Sequence, residues 1–489
     1  MRLPWAVERA SAMTKPEVEH GTFPRIGSAV GKCKTIFLTV EMLSAVLSRI
    51  SFSKIPRHCF PFAIAVTLTV AADGAGIFRE GQSARSMSLG GAATVGDGAP
   101  IDALAANPAA LGAKSPTLQL GVAAGFVHET FSNRANDHAR MNDEGFVPNG
   151  AFSLPIGRLT FGLGTIPDAT LRSDWRYRDT PGGLDGKTTL GTRTHKSEII
   201  LLRTVLGASW EINDRLSIGG SAGFLYNRNR LEAPYIIQSQ PALAGAKTRL
   251  DLETEGTGWN AQFGVLWKPI PSLKLGASYT LASRLKSNGR AFSDARVQLR
   301  NLGLGALDGR ATFNAEVTNE FPQIASVGLA WQTTPRLLLA GQVDWINWAD
   351  TFDTLEVRLR HTTNPSYRLL LGSSNLDDDI PLNWRDQWVW RIGAEFAVNG
   401  TWKVRAGYSY ANNPVPGGTL TPLTAAVMEH TIGAGVGWRA GRYGIDLAYQ
   451  WQLPNKEHVG RSDLRSGEYS GSDIEAGVQW IGLTTTVAF

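Results

Sequence analysis

The sequence is poor in charge, nearly devoid of cysteine and without a long apolar run, and each shortage removes a class of protein. Charged residues are 19% of 489, below the roughly 25% of soluble chains, so a string of ordinary soluble domains fits the length badly. The two cysteines, Cys33 and Cys59, are too few for a disulfide scaffold. The longest apolar stretch, Phe60 to Ala72, has 13 residues and is broken by Pro61, whereas a spanning helix needs about 18. With a mean hydropathy of −0.12, a bundle of membrane helices is excluded. Wholesale disorder is excluded by the 43% of hydrophobic residues. What the chain has in plenty is glycine, 53 residues, and tryptophan, 15.

The first 72 residues read as a leader. Arg49, Lys54 and Arg57 precede the apolar run, and Ala71 and Ala72 follow it. That order is the pattern of a secretory signal peptide, with cleavage expected after Ala72, or after Ala71 or Ala75. Residues 1–41 show no periodicity; either Met42 is the working start or the leader is extended. The leader holds nine basic and four acidic residues, leaving 39 of each sign behind. The net charge of +5 and pI of about 9.1 thus belong to the leader, and no nucleic-acid surface is implied. Both cysteines leave with it, which suits export into an oxidising compartment.

From Leu118 onward the sequence alternates with period 2. Trp388, Trp390, Ile392, Ala394 and Phe396 alternate with Gln387, Val389, Arg391, Gly393 and Glu395. The same pattern recurs at Trp402–Tyr410, Trp259–Trp267, Leu273–Tyr279 and Ile445–Trp451. Short turns such as Asn399-Gly400 and Ala440–Arg442 are set against long polar links at 168–197, 229–255, 284–310 and 362–385. Strands of about ten residues, unequal loops and aromatic strand ends indicate an all-β transmembrane antiparallel barrel. Lipid offers no hydrogen bonds, so the sheet must close. A secreted β-sandwich or propeller would also alternate. The end of the chain weighs against it: Ile481, Leu483, Thr485, Val487 and Phe489 alternate to the last residue, as in a recognition signal for barrel-insertion machinery.

Enzyme motifs fare poorly. Gly219–Gly223 fits Gly-x-Ser-x-Gly but lies in an alternating strand rather than a strand-turn-helix elbow. His128-Glu129 lacks the second histidine of a zinc protease motif. No catalytic residue, metal site or cofactor is expected.

Residues 76–112, GIFREGQSARSMSLGGAATVGDGAPIDALAANPAALG, are not strand-like. They hold an apolar start (Ile77, Phe78), then Gln82-Ser83-Ala84, Leu89-Gly90-Gly91-Ala92 and Asn107-Pro108-Ala109. With GTGWNAQFGVLWKP (256–269), WKVRAGYSYANNPVP (402–416) and the terminal Phe489, this ordered set resembles the FadL/TodX family of outer-membrane transporters for hydrophobic compounds. The resemblance implies a monomeric barrel of about 14 strands over 116–489, plugged by a small helical hatch over 73–115. It implies passive uptake of long-chain fatty acids foremost, or else of aromatic hydrocarbons, with a general polar-solute porin or an adhesin-like barrel as the competing classes. The ligand would sit near Ile77 and Phe78, the hatch would gate through Asn107, Pro108 and Ala109, and exit would be sideways at an inward kink of the third strand. Gly162, Gly164 and Pro167 in that segment mark the expected opening, because proline cannot donate to a ladder and glycine permits a bulge; ending the strand at a loop is the equal alternative. Tyr226, Arg228 and Arg230 share one face of the fifth segment and align with a basic stretch of the fatty-acid transporters. Where those have Arg after the following Glu, Ala233 stands here, which leaves room for a neutral ligand. Asp386 matches an acidic position of the family, expected to form a lumen ion pair with an arginine.

Overall fold

The computed structural model describes residues 77–112 and 114–489; the leader reading falls outside them. Eighteen strand segments follow one another. They are β1 (Thr117–Asn133), β2 (Asn136–Ile156), β3 (Leu159–Arg178), β4 (Thr192–Asn213), β5 (Leu216–Ile236), β6 (Lys247–Ile270), β7 (Leu273–Thr280), β8 (Ser283–Asp294) and β9 (Arg310–Phe321). Then come β10 (Ile324–Gln332), β11 (Leu337–Ile346), β12 (Thr354–Arg360), β13 (Leu376–Pro381), β14 (Gln387–Ala397), β15 (Trp402–Ala411), β16 (His430–Ala440), β17 (Tyr443–Val459) and β18 (Ser472–Ala488). β7 and β8 both pair with the long β6 and form one crossing. β9 with β10, β11 with β12 and β13 with β14 are split crossings of the same kind. The wall therefore has fourteen antiparallel strands. It closes where β18 pairs with β1 from Thr117↔Ala488 to Ser132↔Asp473, and Phe489 N donates to Pro116 O at 2.8 Å. Closure leaves no strand edge for lipid to strip of hydrogen bonds.

The faces fall as the alternation predicts. Trp388, Trp390, Ile392 and Phe396 point outward with Trp259, Phe263, Leu447, Tyr449 and Leu483, while Gln387, Arg391, Glu395, Arg405 and Asp446 are buried inside. No helix among the described residues is long and apolar enough to cross a membrane. Strand length departs from expectation. β3 to β6 run 20 to 24 residues, far beyond a ten-residue crossing, and two of the four segments read as long links, 168–197 and 229–255, consist largely of their upper ends. Above the bilayer the outward face meets water and turns polar, while the inward face (Leu171, Trp175, Tyr177, Leu250, Leu252) stays buried under the loops, so the lipid-facing hydrophobic signal disappears while the ladder continues.

Inside the barrel lie α1 (Ala84–Ser88), α2 (Pro100–Ala106) and a single 3₁₀ turn, Pro108–Ala110. Two more short helices, α3 (Arg296–Asn301) and α4 (Pro365–Leu371), belong to the outer loops.

Candidate functional site

The hatch begins with a capping box: Ser83 and Ser86 each accept from the other's backbone at the start of α1. Buried Asp102 of α2 accepts from both hydroxyls, at 2.6 and 2.7 Å, and ties the two helices together. The hatch is seated on glycine. A Cβ on Gly407 of β15 would come within 2.1 Å of Leu89 C, and one on Gly433 of β16 within 2.4 Å of Met87 O. Wall glycines let hatch backbone lie directly on wall backbone, which gives the high glycine count a physical use. Polar groups pin the seat. Gln342 Oε1 accepts from Ala93 N and Thr94 N at 2.8 and 2.9 Å, and Thr484 Oγ1 accepts from Ala84 N at 2.9 Å. Arg85 pairs with Glu395 at 3.1 Å, Glu395 with Arg405 at 2.7 Å, and Arg405 with Asp446 at 2.8 Å.

Asn107 ends α2 and caps the 3₁₀ turn, its Oδ1 accepting from Ala109 N at 3.0 Å. Its Nδ2 donates to Thr94 O and to Val265 O of β6, at 2.9 and 3.2 Å. Ser209 Oγ of β4 donates to Ala109 O at 3.1 Å. Asn107, Pro108 and Ala109 are thus the joint between hatch and wall over β4, β5 and β6.

The ladder between β2 and β3 is short. It runs from Ile156↔Leu159 to Gly150↔Thr165, although both strands continue upward. On its other side β3 stays paired with β4, with a bulge between Pro167 and Ala169. Pro167 therefore borders the break. Gly162 and Gly164 do not: they lie in the intact ladder, opposite Ser153 and Ala151, and their inner side is covered by Leu104 and Leu111 of the hatch. The upper rim is rejoined by side chains: Arg172 pairs with Asp143 at 3.1 Å, and Asn136 exchanges hydrogen bonds with Arg178, each 2.9 Å. Between these limits the hatch start stands behind the wall. Phe78 bridges to Ala169, Arg79 N donates to Asp168 O at 3.3 Å, and Thr170 N donates to Ile77 O at 3.1 Å. Gln82 spans the break, accepting at its carbonyl from Asn149 of β2 (2.5 Å) and donating from Nε2 to Pro167 O of β3 (3.0 Å). Arg203 pairs with Asp168 at 2.7 Å and reaches Ala105 O at 3.4 Å, linking the kink to α2.

Ile77 is fully buried in the largest apolar cluster of the lumen, with Phe78 packed against it. The Phe78 ring stacks on Trp348 at 5.0 Å between centroids. Trp348 meets Phe352 at 4.8 Å and Trp384 at 5.1 Å. These three enter the lumen from the interruptions between β11 and β12 and between β13 and β14. Sequence reading passed over them. The signal available was an aromatic pair, Trp345 and Trp348, that falls out of step at a strand end.

Two other expectations are corrected. Tyr226, Arg228 and Arg230 share parity with the exposed Phe224 and lie outside the wall, where Arg228 pairs with Glu253 and Glu198. They form no clamp inside the lumen, because inward positions of β5 are the odd ones, Leu225, Asn227 and Asn229. Asp386 shares parity with outward Trp388 and accepts from Trp345 Nε1 at 3.0 Å and Ala349 N at 3.2 Å. The lumen arginines pair with Asp344, Glu395 and Asp446 instead.

Outer loops roof the lumen. Buried Lys247 donates to Asp179 at 2.7 Å, Thr180 O at 2.6 Å and Glu468 at 2.8 Å, joining three loop ends. Asp378 of β13 accepts from Tyr235 at the end of β5 and from Gln238 and Ser239 of the β5–β6 connection. Burial pushes the Glu468 carboxyl up to about 7, against the pull of Lys247. The closed roof holds this proton between the ordinary value of 4.5 and about 7, whereas an opened roof releases it. Its stabilisation is complete below pH 4.5 and is lost as pH rises through 7. Proteolysis within 460–471 is expected to be faster at pH 8 than at pH 5, and Glu468→Gln to flatten that dependence.

The sequence profile described as "Outer membrane protein transport protein (OMPP1/FadL/TodX)" matches residues 63–489. No curated protein matches closely enough to count as a relative. Among solved structures, a Pseudomonas aeruginosa FadL homologue superposes with a TM-score of 0.69 at 18% identity, over 85% of this chain and 100% of that one. The Pseudomonas putida toluene transporter TodX gives 0.67 at 20%, over 85% and 100%. The Ralstonia pickettii toluene transporter TbuX gives 0.59 at 19%, over 84% and 99%. At these identities the superpositions speak for the fold, and the profile carries the assignment: the chain belongs to the OMPP1/FadL/TodX family of outer-membrane transport proteins for hydrophobic compounds.

Proposed function

We propose that this chain takes up small neutral hydrophobic compounds of the aromatic-hydrocarbon class by passive flow, through an apolar site beside Phe78 and out between β2 and β3. The observation that carries the reading is the ring cluster at the hatch start. Phe78 lies on Trp348 as an aromatic ligand would, with Phe352 and Trp384 against the same indole. The lumen carboxyl above it, Glu129, is 3% exposed and leaves Oε2 without a hydrogen bond, a poor neighbour for a carboxylate. The basic residues aligned with a fatty-acid clamp face outward. A polar porin is disfavoured because a hatch, rather than water, fills the lower lumen. A bilayer exit suits such cargo, since each CH₂ left in an apolar setting is favoured by ~0.8 kcal/mol over water. Long-chain fatty acids are the second reading, favoured by Arg79 beside Phe78, which donates to Gln82 at 3.1 Å and stacks over Trp480 at 5.3 Å.

Uptake of labelled toluene and labelled oleate by a strain lacking its own carriers separates the two. Toluene uptake that survives Arg79→Gln is expected; oleate uptake that depends on Arg79 would establish the second reading. Trp348→Leu is expected to weaken aromatic ligand binding roughly fivefold to tenfold, the stacking worth of one ring, as read by tryptophan fluorescence titration.

A further inference from the structure

We propose that the outward face of the barrel carries a second binding site, for the anionic saccharide of the outer-leaflet glycolipid, in an arginine-lined groove above β3 to β8. The groove encloses about 630 Å³ and lies where the upper ends of these strands meet the loop that bears α3. Arg176 of β3, Arg193 of β4 and Arg300 of α3 line it, and none has an acidic partner among the described residues. Two further arginines there are engaged, Arg249 with Glu232 at 2.8 Å and Arg296 with Asp294 at 2.6 Å. The remaining carboxylate of the lining, Asp308, faces Arg310 at 3.5 Å. The groove therefore holds an uncompensated positive charge in a chain whose basic and acidic residues balance beyond the leader. Like charges gathered in one concavity attract and retain an anion, and guanidinium forks match phosphate and carboxylate oxygens.

Position selects the source of that anion. On the outward face of β6, Trp259 is 73% exposed and marks the lipid-facing belt. Arg249 lies ten residues further along the same strand, roughly 25 Å higher for a tilted strand. That height is beyond the acyl chains and within the sugar layer of the outer leaflet. The outward surface in between is charged rather than apolar, with Arg228 paired across to Glu253 of β6 and Arg230 facing Glu232 along β5. The misplaced "clamp" residues thus belong to a collar that carries the wall through the same layer. The site rests on the outer-membrane setting and not on the identity of the transported cargo.

The test uses the full exported protein in detergent, stripped of bound glycolipid and titrated with purified lipopolysaccharide by native mass spectrometry. Arg176→Gln/Arg193→Gln/Arg300→Gln is expected to bind about tenfold more weakly, as the loss of three partly exposed ion pairs would give. Unchanged heat-modifiable mobility and unchanged toluene uptake show that the variant is folded and that transport is untouched. Chemically dephosphorylated lipopolysaccharide is expected to bind the native protein as weakly as the intact glycolipid binds the variant. Equal binding of intact lipopolysaccharide by native protein and variant would overturn the site. So would competition by inorganic phosphate at concentrations similar to the glycolipid, which would make it a free-anion site.

Discussion

A chain with Phe78→Cys and Ala169→Cys should stop transporting when oxidised and resume when reduced. Phe78 and Ala169 form an antiparallel bridge whose flanking bonds, Arg79 N to Asp168 O and Thr170 N to Ile77 O, make them a non-hydrogen-bonded pair. Such pairs have Cα atoms about 4.5 Å apart, inside the range that a disulfide spans. Both cysteines of the sequence lie at positions 33 and 59, so the described residues hold no competing thiol, and Cys33→Ser/Cys59→Ser in the background removes the other two. If release requires the hatch start to leave β3, locking that contact should reduce uptake to background, and dithiothreitol should restore it. The reduced double variant is its own control for loss of the Phe78 ring. Full transport by the oxidised form, with the disulfide verified by mass spectrometry, would show that this contact does not move.

Gly407→Val should turn a plugged barrel into a conducting one. A Cβ at Gly407 would stand 2.1 Å from Leu89 C and 2.2 Å from Gly90 N, backbone against backbone, so no rotamer relieves it. Overpacking of this kind costs about 1–3 kcal/mol or more, and the hatch, held by side-chain anchors and one isolated backbone bridge rather than a ladder, is the element able to yield. The wall keeps its register because Gly393↔Gly407↔Gly433 pair through backbone alone. Planar-bilayer recordings should show steady ion current in the variant and little in the parent. Gly407→Ala should give a smaller effect in the same direction. A silent Gly407→Val with normal heat-modifiable mobility would mean that the hatch adjusts without unseating.

Much of the wall was legible in the residues. Alternation assigned the outward and inward faces of β14, β15 and β17 correctly, because only one face of a membrane strand meets lipid. It failed above the bilayer, where the outward face is wet and polar, the apolar residues of β3 to β6 face the lumen instead, and the lipid-facing signature is lost. Parity also held the answer for Arg228 and Arg230: they share a face with Phe224 and Ile218, both outward. Alignment to a basic stretch drew attention away from it. Pro167 was legible as a ladder breaker. Gly162 and Gly164 were misread, since a glycine that weakens a strand and one that admits Leu104 look alike until the partner is known. The ring cluster was hidden for a related reason: Trp348, Phe352 and Trp384 come together only when two distant strand pairs are interrupted at the same level.

Prolines on both margins of the break have a further consequence. Pro148 sits opposite Val122 in the unbroken pairing of β1 with β2, so its donor-less nitrogen is turned toward β3. Pro167 sits opposite Leu202 at the bulge, with its own nitrogen likewise missing a hydrogen. Each margin therefore has one position that cannot donate, so pairing across the seam at that level would lose a ladder bond. In the structure the plug's first residues stand in the gap left between these margins, with Phe78 bridging to Ala169 and Arg79 N donating to Asp168 O.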